Sequence, residues 1–194
     1  MAEDVGDLTL AGTVEPPWVE AVLRYWFEEL SETHWFGGND GVDMQIRGRF
    51  LALHEQLARI NAPGVNAPRS ILAAVIVLDQ FSRNMYRGHP RAYAADAIAR
   101  RLARTAVDQG FDLTMTKKQR LFLYLPFEHS ENTEDQALAL DLIGRLGNEN
   151  WTRATMAHKV IIDRFGRFPH RNQILGRSST PDEIAHMAES MTSF

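Results

Sequence analysis

The sequence predicts an all-α protein, a single domain of about eight packed antiparallel helices. Three observations predict it. Apolar residues recur at the three-and-four spacing of a helix face in segment after segment. Short runs rich in Gly, Pro and Asn separate these segments, with capping residues where helices should begin. No run alternates apolar and polar residues for long enough to make a strand.

Residues 1–15 read as a flexible tail and 16–194 as the helical domain. Pro16 and Pro17 open a helix over 18–30, and His34 to Asp40 forms a turn ending in N-cap residues. The next helix, 42–60, is amphipathic through Met44, Ile46, Phe50, Leu51, Leu53, Leu57 and Ile60. A breaker-rich loop, 61–68, precedes a nearly all-apolar stretch, 69–82, whose length and alanines favour a buried central helix over a strand. After Gly88 and Pro90, residues 91–109 are Ala- and Arg-rich and helical, closed by Gly110. Thr116 caps a short helix expected to end at Pro126. Helices follow over 131–146, with an acidic first turn, and over 149–165, stopped by Gly166. Thr180-Pro181-Asp182-Glu183 is a capping box, and it opens a last helix to about Met191. Trp18, Trp26, Trp35 and Trp151 are read as core packing, with Trp35 the one placed to line a pocket.

Composition narrows the function. There is no cysteine, which removes disulfides, thiolate nucleophiles and cysteine-bound zinc, and fits a reducing cytoplasm. The acidic N-terminus lacks the basic and apolar regions of a signal peptide. The longest apolar run, Ile71 to Leu78, is far shorter than the roughly 20 residues that span a bilayer. The expectation is a cytoplasmic protein with no membrane partner. A net charge of −4 argues against a general nucleic-acid binder. Lys117, Lys118 and Lys159 are the only lysines, so arginine carries most of the positive charge. Codon bias in a GC-rich genome produces that ratio, and so does forked recognition of phosphate or carboxylate.

Three polar stretches stand out. Arg164 to Arg177 holds four arginines, His170 and Asn172 with no acid among them, broken by Gly and Pro. Such a loop is suited to an anion, with Arg164, Arg167, Arg171 and Arg177 as forked donors. His170 follows Pro169 and is a candidate proton donor, as is His158 on the preceding helix. A second stretch, Asp79-Gln80-Phe81-Ser82-Arg83-Asn84-Met85-Tyr86-Arg87, ends the most apolar helix, so Asp79 and Gln80 should be partly buried and need partners. The third holds Glu128, His129 and Glu131. That set can do acid/base work, supply oxygen and nitrogen ligands to a metal, or, with Ser130 or Asn132 as N-cap, place its acids as partners of a helix dipole, and its spacing selects none of these. His34, His54, His89 and His186 lack such neighbours and read as surface or core-edge histidines. The segments Arg83-Asn84 and Arg171-Asn172 also echo each other, each with a glycine four residues beyond the Asn, as if two helix-end loops faced one ligand.

These same motifs resemble a known family. Leu78 to Gly88 matches an LDQFxRNxxRG signature, Phe122 to Glu131 matches FLYxPxxHSE, and Arg164 to Arg177 matches RFGRFPHRNxxLGR. Ser179 to Glu183 looks like the family's STxxE opening. The family is the bacterial domain of unknown function number 924, and the resemblance spans residues 22–194. It implies a helical fold similar to tetratricopeptide-repeat domains, and it implies no reaction. Ser82 stands where Pro is frequent in the family, which removes a helix terminator. No 34-residue repeat is visible in this chain.

Three functions follow from these residues. The first is a site for an anionic small molecule, a phosphate or carboxylate, with hydrolysis as the least demanding chemistry because no P-loop, GxGxxG or GxSxG motif names a cofactor or nucleophile. Arg83, Arg87, Arg167 and Arg171 would hold the anion, Asn84 and Asn172 would orient it, and His129, Glu128 or His158 would move protons. The second is a helical module that binds a peptide or protein partner. The third is a buried ion network that fixes helix packing. Neither the oligomeric state nor any cofactor is legible in the sequence.

Overall fold

The computed structural model describes residues 15–59 and 65–189. The expected tail up to residue 14, residues 60–64 and the expected end of the last helix beyond residue 189 lie outside the described residues. Among those described, nine α-helical segments occur: α1 Pro17–Arg24, α2 Asp40–Leu57, α3 Pro68–Val75, α4 Ser82–Met85, α5 Asp96–Asp108, α6 Lys117–Glu128, α7 Thr133–Gly144, α8 Glu149–Phe165 and α9 Pro181–Glu189. A π-helical segment, Ile76–Phe81, joins α3 to α4, so the rods number eight. None of the described residues forms a strand.

The α3–π–α4 rod is the centre. Ile71 to Ser82 is buried throughout, as its composition predicts, and α1, α2, α5 and α6 pack around it. Tyr25, Trp26, Phe50, Phe81 and Phe122 fill the space with edge-on and tilted ring contacts. Trp35 stacks on Trp26 at 6.4 Å and donates its indole N–H to the Trp26 carbonyl at 3.0 Å. It is therefore a core residue and not a pocket wall. α7 packs on α6, and α8 on α7. A small satellite core of Ile161, Ile162 and Phe168 seats the loop that follows α8.

Three boundaries differ from the sequence expectation. Pro126 lies inside α6, which continues to Glu128. One missing N–H in the last turn is tolerated because the His129 N–H closes on the Leu125 carbonyl at 2.8 Å. Residues 91–95 are not part of α5. Pro90–Ala92 is a 3-10 turn capped by the His89 ring, and Ala95, at φ −96° and ψ −2°, breaks the chain before Asp96 starts a new helix. Met44 is 74% exposed, so the inward face of α2 is Val42, Ile46, Phe50 and Leu57. The capping box at α9 forms as written: Thr180 Oγ1 accepts from the Glu183 N–H, and the Glu183 carboxylate accepts from the Thr180 N–H.

Candidate functional site

The longer α6 and the delayed start of α5 bring charged groups together at the end of the central rod. Asp79 sits on the π-helical segment with 0% exposure. Its carboxylate accepts from His129 Nδ1 at 2.9 and 3.0 Å, from Gln80 Nε2 at 2.6 Å, and lies 3.0 Å from Arg83 Nη1. Arg83 also forks onto Asp96 at 3.0 and 3.1 Å. Against its own desolvation, Arg83 and His129 hold the Asp79 carboxyl below the ordinary range. Burial raises the Asp96 carboxyl in spite of Arg83.

His129 is the C-cap of α6. Because Nδ1 donates to a carboxylate, the neutral ring presents Nε2 as a bare acceptor, and Nε2 has no hydrogen bond among the described residues. Burial first, and then the nearby Arg83, bring its pKa down to about 4. The ring is neutral at physiological pH, which is the state a general base needs.

A second carboxylate–histidine pair faces it. Glu128 lies 3.3 Å from His158 Nδ1 and accepts from Thr155 Oγ1 at 2.6 Å. His158 Nδ1 also donates to the Ala154 carbonyl at 2.9 Å. The two imidazoles are 6.2 Å apart, centre to centre. Burial pushes the Glu128 carboxyl up.

Arg171 closes the cluster. It is 7% exposed, sits in the 3-10 turn Pro169–Arg171, and its guanidinium lies against the rings of Tyr93 at 4.6 Å and Phe168 at 4.5 Å. Its ion pair is a long 3.6 Å contact with Asp96, which Arg83 already holds, and its buried Nε has no hydrogen bond. His170 lies beside it with the ring 5.6 Å from Phe168.

The other sequence candidates go elsewhere. Asn84 and Arg87 both bond Asp43 of α2, Asn84 at 2.7 Å and Arg87 at 2.9 and 3.1 Å. Glu131 accepts two bonds from Arg177 and one from the Phe168 N–H, which clasps the loop to the start of α7. Arg167 forks onto Glu183, Asn172 donates to Ser179 and Glu183, and Arg164 pairs with Asp182, so these three hold α9. The echo between the two Arg-Asn pairs is half realised. Arg83 and Arg171 converge on Asp96, while the two asparagines diverge, and Arg83-Asn84 lies within α4 and not past a helix end. Gly88 and Gly176 do take the same left-handed turn, at φ 74° and 67°.

Sequence reasoning missed Asp96, Thr155, Tyr93 and Asp43. Asp96 carried a usable signal, because it stands as a lone acid within the Arg-rich segment 91–104. Cavities of about 390 and 190 Å³ lie elsewhere, and neither is lined by Asp79, Arg83, His129 or Arg171. No three acid or histidine side chains among the described residues gather closely enough to hold a metal ion.

Residues 22–190 match the family described as bacterial protein of unknown function, DUF924. The chain belongs to this family. It is also similar to a solved structure of a protein of unknown function, ATU0120 from Agrobacterium tumefaciens, with 36% identity and a TM-score of 0.83 over 88% of this chain and 97% of that one. No match was found among curated proteins. The all-α fold of this family member therefore has an experimental counterpart. Among its described residues no helix is long and apolar enough to cross a membrane.

Proposed function

We propose that the cluster around Arg171, Arg83, His129 and His158 binds a small anionic molecule, a phosphate or a carboxylate, and that its histidines move a proton during hydrolysis of that ligand. The observation that carries this reading is Arg171, a buried guanidinium with one long, shared ion pair and an unsatisfied Nε. A buried charge left so poorly compensated is costly unless a ligand completes it. In this reading Arg171 and Arg83 hold the anion. His129, backed by Asp79, takes a proton at Nε2, and His158 with Glu128 serves the opposite side. Asn84, Arg87, Arg164, Arg167, Asn172 and Arg177 support the scaffold through the acids they already hold. A cytoplasmic setting fits a chain without cysteine.

The test is a thermal-shift panel of phosphorylated metabolites, carboxylates and nucleotides on the wild type and on Arg171→Ala. A ligand at one hundred times its Kd adds about 2.7 kcal/mol. For a domain of this size that raises Tm by roughly 5–10 °C. The expected result is a wild-type shift that disappears in Arg171→Ala. A shift of equal size in both proteins, or a flat panel in both, would overturn the reading, and a flat panel would favour a peptide or protein partner instead.

A further inference from the structure

A groove of about 390 Å³ lies between the C-terminal half of α2 and the turn that opens α5. His54, Glu55, Arg59, Arg91, Ala94 and Ala95 line it. Its deepest polar group is His54, which is 5% exposed. Ser82 Oγ gives its only proton to the Leu78 carbonyl at 2.6 Å, so the 2.7 Å contact between Ser82 Oγ and His54 Nε2 requires Nε2 to be the donor. The neutral ring then carries a bare lone pair on Nδ1, and Nδ1 is buried with no hydrogen-bond partner. Burial and the nearby Arg91 keep this ring neutral, so it does not fill the vacancy by taking a proton from solvent near neutral pH. The Tyr86 ring packs on His54 at 5.5 Å, and its own buried hydroxyl is also unpartnered. At the mouth, Arg91 has a 3.3 Å ion pair with Glu55, and Arg59 has no acid within ion-pairing distance among the described residues. The groove thus has a buried, unpartnered acceptor on its lining histidine and net positive charge at its rim.

We propose that this groove is a second ligand site, taking a small anion that also carries a hydroxyl group. The anionic end meets Arg59 and Arg91, and the hydroxyl donates to His54 Nδ1. Ala94 and Ala95 leave room for a short carbon chain between the two ends. The inference is independent of the Arg171 cluster, which contributes no residue to the groove.

The test is NMR of the histidine ring nitrogens in the intact chain. Four probes are titrated separately: glycerol 3-phosphate, glycerate, inorganic phosphate and glycerol. The first two carry an anion and a hydroxyl, and each of the last two lacks one part of the pair. The expected result is saturable movement of the His54 signals by glycerol 3-phosphate or glycerate, at least tenfold tighter than by inorganic phosphate or glycerol. Which of the two binds says whether the anion is phosphate or carboxylate. Arg59→Ala and Arg91→Ala are surface changes, and each should weaken binding about tenfold, the scale of one charged hydrogen bond. Arg171→Ala should leave it unchanged. No saturable movement of His54, as for a groove holding water only, would overturn the proposal. So would wild-type affinity retained in both Arg59→Ala and Arg91→Ala, or loss of binding in Arg171→Ala.

Discussion

Asp79 and His129 set each other's charge, and the His129 ring carries part of the acid sensitivity of this protein. His129 titrates at about 4 when folded, against an ordinary value near 6.5. As pH falls through 6.5 the unfolded chain takes a proton that the folded ring refuses. Folding is therefore weakened progressively from about pH 6.5 down to about pH 4, and no further below that. The raised carboxyls of Glu128 and Asp96 act in the opposite sense at the acid end, but they are present in any His129 variant and cancel in a comparison. Between pH 7 and 4.5 the wild type should lose on the order of 2 kcal/mol more than His129→Gln, or roughly 4–8 °C of Tm. Parallel Tm profiles for the two proteins would show that His129 titrates like an exposed histidine. The sequence made His129 a candidate from its carboxylate neighbours, which raise a histidine pKa. The structure reverses that sign, because enclosure by the central rod outweighs Asp79, and enclosure depends on packing that no local motif reveals.

At the scale of elements, α9 is tied on mainly by polar groups, and its buried side chain among the described residues is Glu183. Glu183 is 2% exposed, and its carboxylate takes bonds from Arg167 Nε and Nη2, the Thr180 N–H and Asn172 Nδ2. Those donors, led by Arg167, hold its carboxyl down at about 2. Beneath α9 lie the short 3-10 turn Pro169–Arg171 and the Phe165 ring of α8, 5.1 Å from the His186 ring. Glu183→Ala removes the four bonds together and leaves the half-buried Arg167 guanidinium without its acid. The expected outcome is selective proteolysis after residue 177, with the remaining helices still protected and far-UV circular dichroism reduced by about one helix. Thr180→Ala, which removes one side-chain cap, should cost only about 1 kcal/mol and leave α9 protected. If Glu183→Ala resists protease as the wild type does, the helix is held by its apolar face instead. Helices of this kind were legible because caps are local. Thr180, Asn132 and Asn148 each sit one residue before the helix they cap. Pro126 and Ala95 were not, because whether a helix runs through a proline or restarts after a turn depends on what packs against that turn.

For the molecule as a whole, the question is whether the buried charges serve packing or a ligand, and Arg83 and Arg171 separate the two. Arg171 is buried and Arg83 partly so, both approach Asp96, and both lie next to Tyr93. Their compensation differs. Arg83 has Asp79, Asp96 and the Asp79 carbonyl, all at 3.1 Å or less, and so ties the central rod to α5. Arg171 has one contact at 3.6 Å and two ring faces. The arginines were visible in the sequence, but which acid each would meet was not. Asp43 and Asp96 are separated from their partners by 13 to 75 residues, and no spacing rule reaches that far. Arg83→Ala leaves the fully buried Asp79 without its guanidinium and Asp96 with only the long Arg171 contact, and breaking a buried pair in this way typically costs about 3–5 kcal/mol. Tm should fall by roughly 6–20 °C. Arg171→Ala removes a charge whose desolvation is scarcely repaid, and it should lower Tm by less than a third as much. Equal losses in the two variants would make Arg171 a structural strut and remove the argument for a ligand there. A small loss in Arg171→Ala beside a large one in Arg83→Ala is the signature of a scaffold that holds one arginine ready for something it does not itself supply.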